Sequence, residues 1–346
     1  MSIHVAHWSR DTPVVPAQLV TAALAMAGPI TYGVTTGHLT HASFAALGAL
    51  ATNFVHPPTI RRPFSWLVGA QSRALWLARA QSRVGVVVTA AALVGVWLGG
   101  RGWVGAVGVV VLAAGAAVVG GFSRWTADAT ARFITFLVMA TGLGGAAWEV
   151  ARWFAVGVAW AILLGLAAAA FSAPGAPAGG VPTYGQLWRR WWGSLHRFEG
   201  WRYAVCLVPA LAVAEVIGVW WHQEKAYWIA LAVVIVVRRR GGSLLRATQR
   251  CLGTCAGVLV GGALVLWVPP SWAIVAVVSV LAGLRPLLKE RNYAAYATVM
   301  TPLVVLLMDL GRTPGLSTIG YRLIDTVIGC LIAILPTLVL RRRYVA

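Results

Sequence analysis

Four arginines, Arg83, Arg132, Arg250 and Arg285, stand at ends of apolar segments. A guanidinium stays charged and meets a carboxylate through two parallel hydrogen bonds, so a ring of them at a membrane pathway would gather organic anions. Tyr227, Trp228, Asn292 and Tyr293 open two of the apolar segments and offer stacking surface and hydrogen bonds to an aromatic ligand. The plainer use of the same residues stays open, because arginines also anchor helix ends and aromatics form interfacial belts. Glu215 lies alone inside PALAVAEVIGVWW. An anion in hydrocarbon is costly, which makes an isolated acid a candidate proton carrier, with a hydrogen-bonded structural glutamate as the alternative. Arg322 and Asp325, three apart in YRLIDTVIG, fit one helix face as a structural ion pair, and Asp325 is a second candidate for proton coupling. Arg124 and Asp128, four apart, suit a solvated pair.

Other chemistries find no support in the residues. The sequence contains no phosphate-binding Gly-x-x-x-x-Gly-Lys loop, and no nucleophile is arranged with a base, so an enzyme is not expected. Cys206, Cys251, Cys255 and Cys330 show no Cys-x-x-Cys spacing and read as small packing residues. His38 and His41, in TTGHLTHAS, read as a solvated loop before a metal site. No metal or cofactor is expected. A formal net charge of +19 would suit nucleic acid if it formed one face, but the basic residues are scattered between apolar segments, and no nucleic-acid partner is expected.

The elements that must position these residues are membrane helices. With 59% hydrophobic and 11% charged residues over 346, the chain is too apolar for a soluble domain. Segments near 17–34, 42–55, 84–100, 102–120, 132–148, 153–171, 203–221, 226–237, 251–268, 272–284, 293–309 and 320–340 read as about twelve transmembrane helices of an all-α integral membrane protein. With a polar N-terminus and no basic region leading into an apolar run, a cleaved leader is not expected. SAPGAPAGGVPTYG divides the chain into a first six-helix repeat (1–171), a linker with an interfacial amphipathic helix around QLWRRWWGSLHRF (172–202), and a second six-helix repeat (203–346). FSWLVGAQSRALWLARAQ reads as another amphipathic stretch.

With cytoplasmic N- and C-termini, the 28 lysines and arginines fall inside, apart from Arg101, Arg152, Lys225, Arg312 and Arg322. An even number of spans per half makes the repeats parallel. AQSRVG matches TQRCLG, FLVMAT matches YATVMT, and Arg152 matches Arg322. The second segment of each half is short and runs toward arginines, a pattern that marks either a transport site or a span that thins the bilayer. Gly253, Gly257 and Gly261, with Gly95 and Gly99 repeating the step, suit close helix packing between repeats or at a homodimer interface.

YWIALAVVIVVRRRGGSLLRATQRCLGTCAGVLVGG, then RNYAAYATVMTPLVVLL and GYRLIDTVIGCLIAIL, resembles the fusaric-acid-resistance (FUSC) family, which includes aromatic acid exporters and is similar to the aluminium-activated malate transporters of plants. The matching residues are Tyr227 and Trp228, Arg250 with Gly253 and Thr254, Asn292 to Ala294, and Arg322 with Gly329. The resemblance implies a multi-pass plasma-membrane exporter of aromatic or other organic carboxylates, coupled to protons and surrounded by lipid. A passive organic-anion channel and a non-transporting membrane scaffold are the alternatives.

Overall fold

The computed structural model describes residues 16–52, 66–170, 183–221, 225, 227–237, 239, 243–267, 271–308, 310 and 316–345. Every regular element among them is an α-helix. In chain order these are α1 (Pro16–Thr36), α2 (Leu39–Thr52), α3 (Trp66–Leu98), α4 (Trp103–Val119), α5 (Arg124–Ala140), α6 (Ala147–Ala170), α7 (Tyr184–Leu195), α8 (Phe198–Trp220), α9 (Tyr227–Val236), α10 (Ser243–Trp267), α11 (Ser271–Arg291), α12 (Tyr293–Met308) and α13 (Leu316–Val345). Most of the linker, 171–182, lies outside the described residues, as do Arg10, Arg61, Arg62, Arg238, Arg240 and Arg312. The amphipathic stretch expected before the third segment is continuous with it, because no glycine or proline interrupts the helix between Trp66 and Ala80 except Gly69.

Five described helices are long and apolar enough to cross a bilayer: Pro16–Thr36, Ala78–Leu98, Ala147–Ala168, Phe198–Trp220 and Trp272–Lys289. The other expected segments are helical too, but shorter or interrupted by charge. At 1.5 Å per residue α2 is about 21 Å long and α9 about 15 Å, against a hydrocarbon core of about 30 Å.

These two short helices form the interior. Every residue of α2 from Ala42 to Thr52 is buried, as is every residue of α9 from Trp228 to Val236 except Ile235. A helix that is apolar on all sides needs neighbours on all sides. α2 packs against α1, α3, α6 and α12, and α9 against α8, α10, α13 and α5. The outer helices turn their large apolar side chains outward: Val86 is 69% exposed, Leu259 75% and Leu331 60%, as a lipid-facing surface requires.

Glycines set the closest helix approaches. A Cβ on Gly157 of α6 would run into the carbonyl oxygen of Ala45 on α2, and one on Gly329 of α13 would meet the Ile229 carbonyl oxygen and Ala232 of α9. Gly95 of α3 and Gly99 just after it lie against Leu137 of α5 and its C-cap Thr141. Gly253 and Gly257 of α10 lie against Ala294 and Thr298 of α12, and a Cβ on Gly261 would stand 3.7 Å from Pro302. This corrects the expected place of the last three. They join α10 to α12 inside the second half, because that is where the backbones come closest. Of the matched stretches, Gly85 in AQSRVG faces Val158 on α6, so it is Gly95 that meets the helix corresponding to the partner of Gly253.

Candidate functional site

The last four carbonyls of a helix have no partners within it, and together they make its negative end. At α2 that end is buried, and two arginines reach it. Arg132 of α5 donates from Nη1 to the Ala51 carbonyl at 2.9 Å, and Arg285 of α11 donates from Nη2 to Leu50 at 3.5 Å. Asp128, expected beside Arg124, acts electrostatically on Arg132, one turn further along α5. Arg132 and Arg285 were expected to bind a ligand, and here they clamp the end of an interior helix. Arg132→Met, which keeps bulk and removes the donor, is expected to lower stability by about 1–3 kcal/mol by stranding the Ala51 carbonyl. Thermal unfolding of the purified protein in detergent measures the loss.

The start of α9 carries the second constellation. The Arg322 guanidinium of α13 lies 3.2 Å from the ring centroid of Trp228, and the Trp228 ring is 4.7 Å from that of Tyr227. Arg322 is only 2% exposed and Arg250 of α10 only 5%, and the two feel each other electrostatically, with Tyr227 and Asp325 also in reach of Arg322. The Nε atoms of both arginines are buried without a hydrogen-bond partner. One turn beyond Arg250, the buried Thr254 hydroxyl also lacks a partner, as does the Tyr293 hydroxyl at the start of α12. The Tyr293 ring lies under Arg246 at 3.2 Å and stacks on Tyr296 at 5.7 Å. Tyr296 in turn is within electrostatic reach of Arg250, Arg246 and Arg285, which links this constellation to the α2 clamp.

Two guanidinium groups side by side in a dry interior repel each other and leave donors unmatched, and both costs vanish when an anion binds between them. The aromatic faces alongside favour a flat ligand. A cavity of about 250 Å³ opens beside the same α9 turn, lined among others by Tyr227, Ala230, Thr141, Gly99, Gly102 and Glu215. Glu215 Oε1 has no hydrogen-bond partner there.

Of the residues singled out from sequence, the fold brings together Arg250, Arg322, Asp325, Tyr227, Trp228 and Tyr293, and places Glu215 on the adjoining cavity. Arg83 stays apart. Its side chain is exposed on α3, because Gln81, Val84 and Gly85 occupy the face that turns to α6. Asn292 caps α12, its Oδ1 accepting from the Ala295 N–H at 3.1 Å. Arg152 is exposed whereas Arg322 is interior, so the two do not hold equivalent places, and Arg322 belongs with the interior arginines rather than with an outer loop. Thr254, Tyr296 and Arg246 were missed as site residues, although Thr254 stands four after Arg250 and so shares its helix face.

Apolar outer faces and an all-helical bundle built around buried short helices define a multi-pass α-helical membrane protein. Residues 210–335 match the family described as fusaric acid resistance protein-like. Arg250, Arg322, Tyr227, Trp228, Thr254 and Tyr293 all fall inside the matched stretch. An Escherichia coli K12 protein, "Uncharacterized protein YhfK", is 34% identical over 126 residues, which cover 36% of this chain and 18% of that protein. A Bacillus subtilis 168 protein, "Uncharacterized membrane protein YvaC", is 30% identical over 159 residues, covering 44% and 24%. The chain thus spans less than a quarter of the length of these relatives. No solved structure matches it.

Proposed function

We propose that this chain is a secondary transporter of the plasma membrane that exports organic anions, aromatic carboxylates among them, in exchange for protons. The observation that carries the reading is the pair Arg250 and Arg322, both interior and both with unmatched Nε donors, set against Trp228 and Tyr227. A carboxylate would take the two guanidinium groups, and its ring would take the aromatic faces. Glu215 on the neighbouring cavity, or Asp325 beside Arg322, would hold the proton.

The helix neighbours support two repeats of six segments each, and the distribution of basic residues supports cytoplasmic termini. α3 packs on α5 and α6, and α10 on α12 and α13. Across the halves, α1 meets α11 as α8 meets α4, and α2 meets α12 as α9 meets α5. Exchanging the halves leaves this pattern unchanged, as a twofold axis along the membrane normal requires.

The test is uptake of labelled benzoate into proteoliposomes with the membrane potential clamped. An acid-inside gradient is the informative one, since simple diffusion of the neutral acid would concentrate it on the alkaline side. A coupled exporter accumulates benzoate inside. Saturable flux that only equilibrates makes the protein a passive channel, and absence of flux for benzoate and for other organic anions leaves a scaffold.

A further inference from the structure

His41, expected in a solvated loop, belongs to the first turn of α2 and meets an acid there. Its Nε2 lies 2.7 Å from Oε1 of Glu149, in the first turn of α6. The imidazole stacks flat on Trp153, with centroids 4.9 Å apart and planes at 12°. Both partners stay accessible, at 28% exposure for His41 and 42% for Glu149. This pair sits at the opposite end of α2 from the Arg132 and Arg285 clamp, so the interior helix is held by charge at both ends.

We propose that His41 and Glu149 form the entry site for the proton that drives exchange. The inference rests on the transport reading above and deepens it. With Glu149 ionised at the N-terminal end of α6, where the helix dipole favours an anion, Nε2–H of His41 donates to the carboxylate and Nδ1 is left to accept a proton. The imidazolium that forms has its counter-charge 2.7 Å away. The site is open to solvent at the end expected to face outward.

The groups around the pair allow this role. On α2's own side, the exposed His38 ring is 5.5 Å from His41. From α1 comes Tyr32, 5.9 Å from Trp153, and from α6 comes Arg152, 5.9 Å over the same ring. Arg101, three residues past the near end of α3, stacks on Trp97, while Arg79 and Arg83 lie toward the far end of α3, since Gln81 packs beside Gly165 deep along α6. Tyr293 and Tyr296 of α12 belong to the arginine end. Arg152 is thus the cation nearest the pair on α6, and it leans over Trp153.

The experiment is the acid-inside benzoate assay on the full chain, comparing wild type with H41Q, E149Q and H41K. Accumulation in H41Q and E149Q is expected to fall at least tenfold, to near the equilibrium ratio, while downhill flux stays within twofold of wild type. H41K keeps a cation opposite Glu149 but cannot release its proton in the working range, and it is expected to remain uncoupled. Restored accumulation in H41K would make the pair a structural tie and overturn the proposal, as would wild-type accumulation in H41Q or E149Q. A wild type that never accumulates benzoate fails the coupled-exporter reading itself, which separates that failure from one confined to His41 and Glu149.

Discussion

Arg322→Gln is expected to raise the KM for benzoate by about 30-fold or more while the protein still folds. The size follows from removing one partner of a desolvated charge-assisted contact, about 2–5 kcal/mol. The folding outcome follows from the neighbours. Arg322 lies beside Arg250 in the interior, so losing one of two adjacent cations relieves repulsion, and the thermal midpoint should stay level or rise. A different balance applies if Arg322 serves only Asp325, three residues on. Its removal would then leave a buried carboxylate without its cation, at a cost of about 3–5 kcal/mol. KM and thermal midpoint measured on the same preparation decide between the two. An unchanged KM with a lowered midpoint would reduce Arg322 to a structural partner, and a raised KM with an intact midpoint would place it on the ligand.

Gly157→Val is expected to be the most damaging single change to the fold. The added Cβ would fall on the Ala45 carbonyl oxygen, closer than atoms can approach, and backbone lies on both sides of the contact. No flexible side chain is present to move aside. α6 must therefore retreat from α2 along a seam that also includes Gly48 against Phe154, and the interior helix loses its neighbour. Overpacking commonly costs about 1–3 kcal/mol, and this site belongs at or above the upper end. Gly115→Val on α4 is the matched control, since nothing lies within 4 Å of a Cβ there. Size-exclusion profiles and thermal midpoints should show loss of monodisperse protein for the first and no change for the second. Equal behaviour of the two would remove the α2–α6 seam as a determinant of the fold.

The segments were legible because periodicity and apolar length are local properties. Each stretch read as a membrane segment contains a helix among its described residues, although 132–148 runs past the end of α5 into the start of α6. The amphipathic QLWRRWWGSLHRF is largely helical too, its Trp191 Nε1 donating to the Val118 carbonyl at 3.2 Å. The importance of the two short segments was legible too, since both stop early. That they are interior was not, because an apolar helix reads the same whether lipid or protein surrounds it.

The site was legible in its residue types and less so in its groupings. Arg250, Arg285, Arg132 and Arg83 look alike in sequence, each an arginine near the end of an apolar run. Their fates diverge through the direction in which each side chain leaves its helix. Arg83 points outward, Arg132 and Arg285 reach carbonyls at the end of α2, and Arg250 meets Arg322. Arg322 was counted toward the outer side because it stands at the start of the segment 320–340. The Trp228 ring, supplied by a helix almost a hundred residues earlier, is what holds that charge inside.

Sequence alone determined that this is a helical membrane chain, roughly where its apolar segments fall, and that its chemistry rests on arginine, aromatic rings and a few acids. Those features depend on composition and on spacing within one helix, which no distant residue can alter. Tertiary structure alone decided that α2 and α9 are interior, that Arg250 and Arg322 are both buried within electrostatic reach of each other with unmatched Nε donors, and that His41 pairs with Glu149 across 108 positions of sequence. Each of these depends on which helices become neighbours and how they are rotated, and that is set by the glycine contacts between whole helices rather than by any one segment.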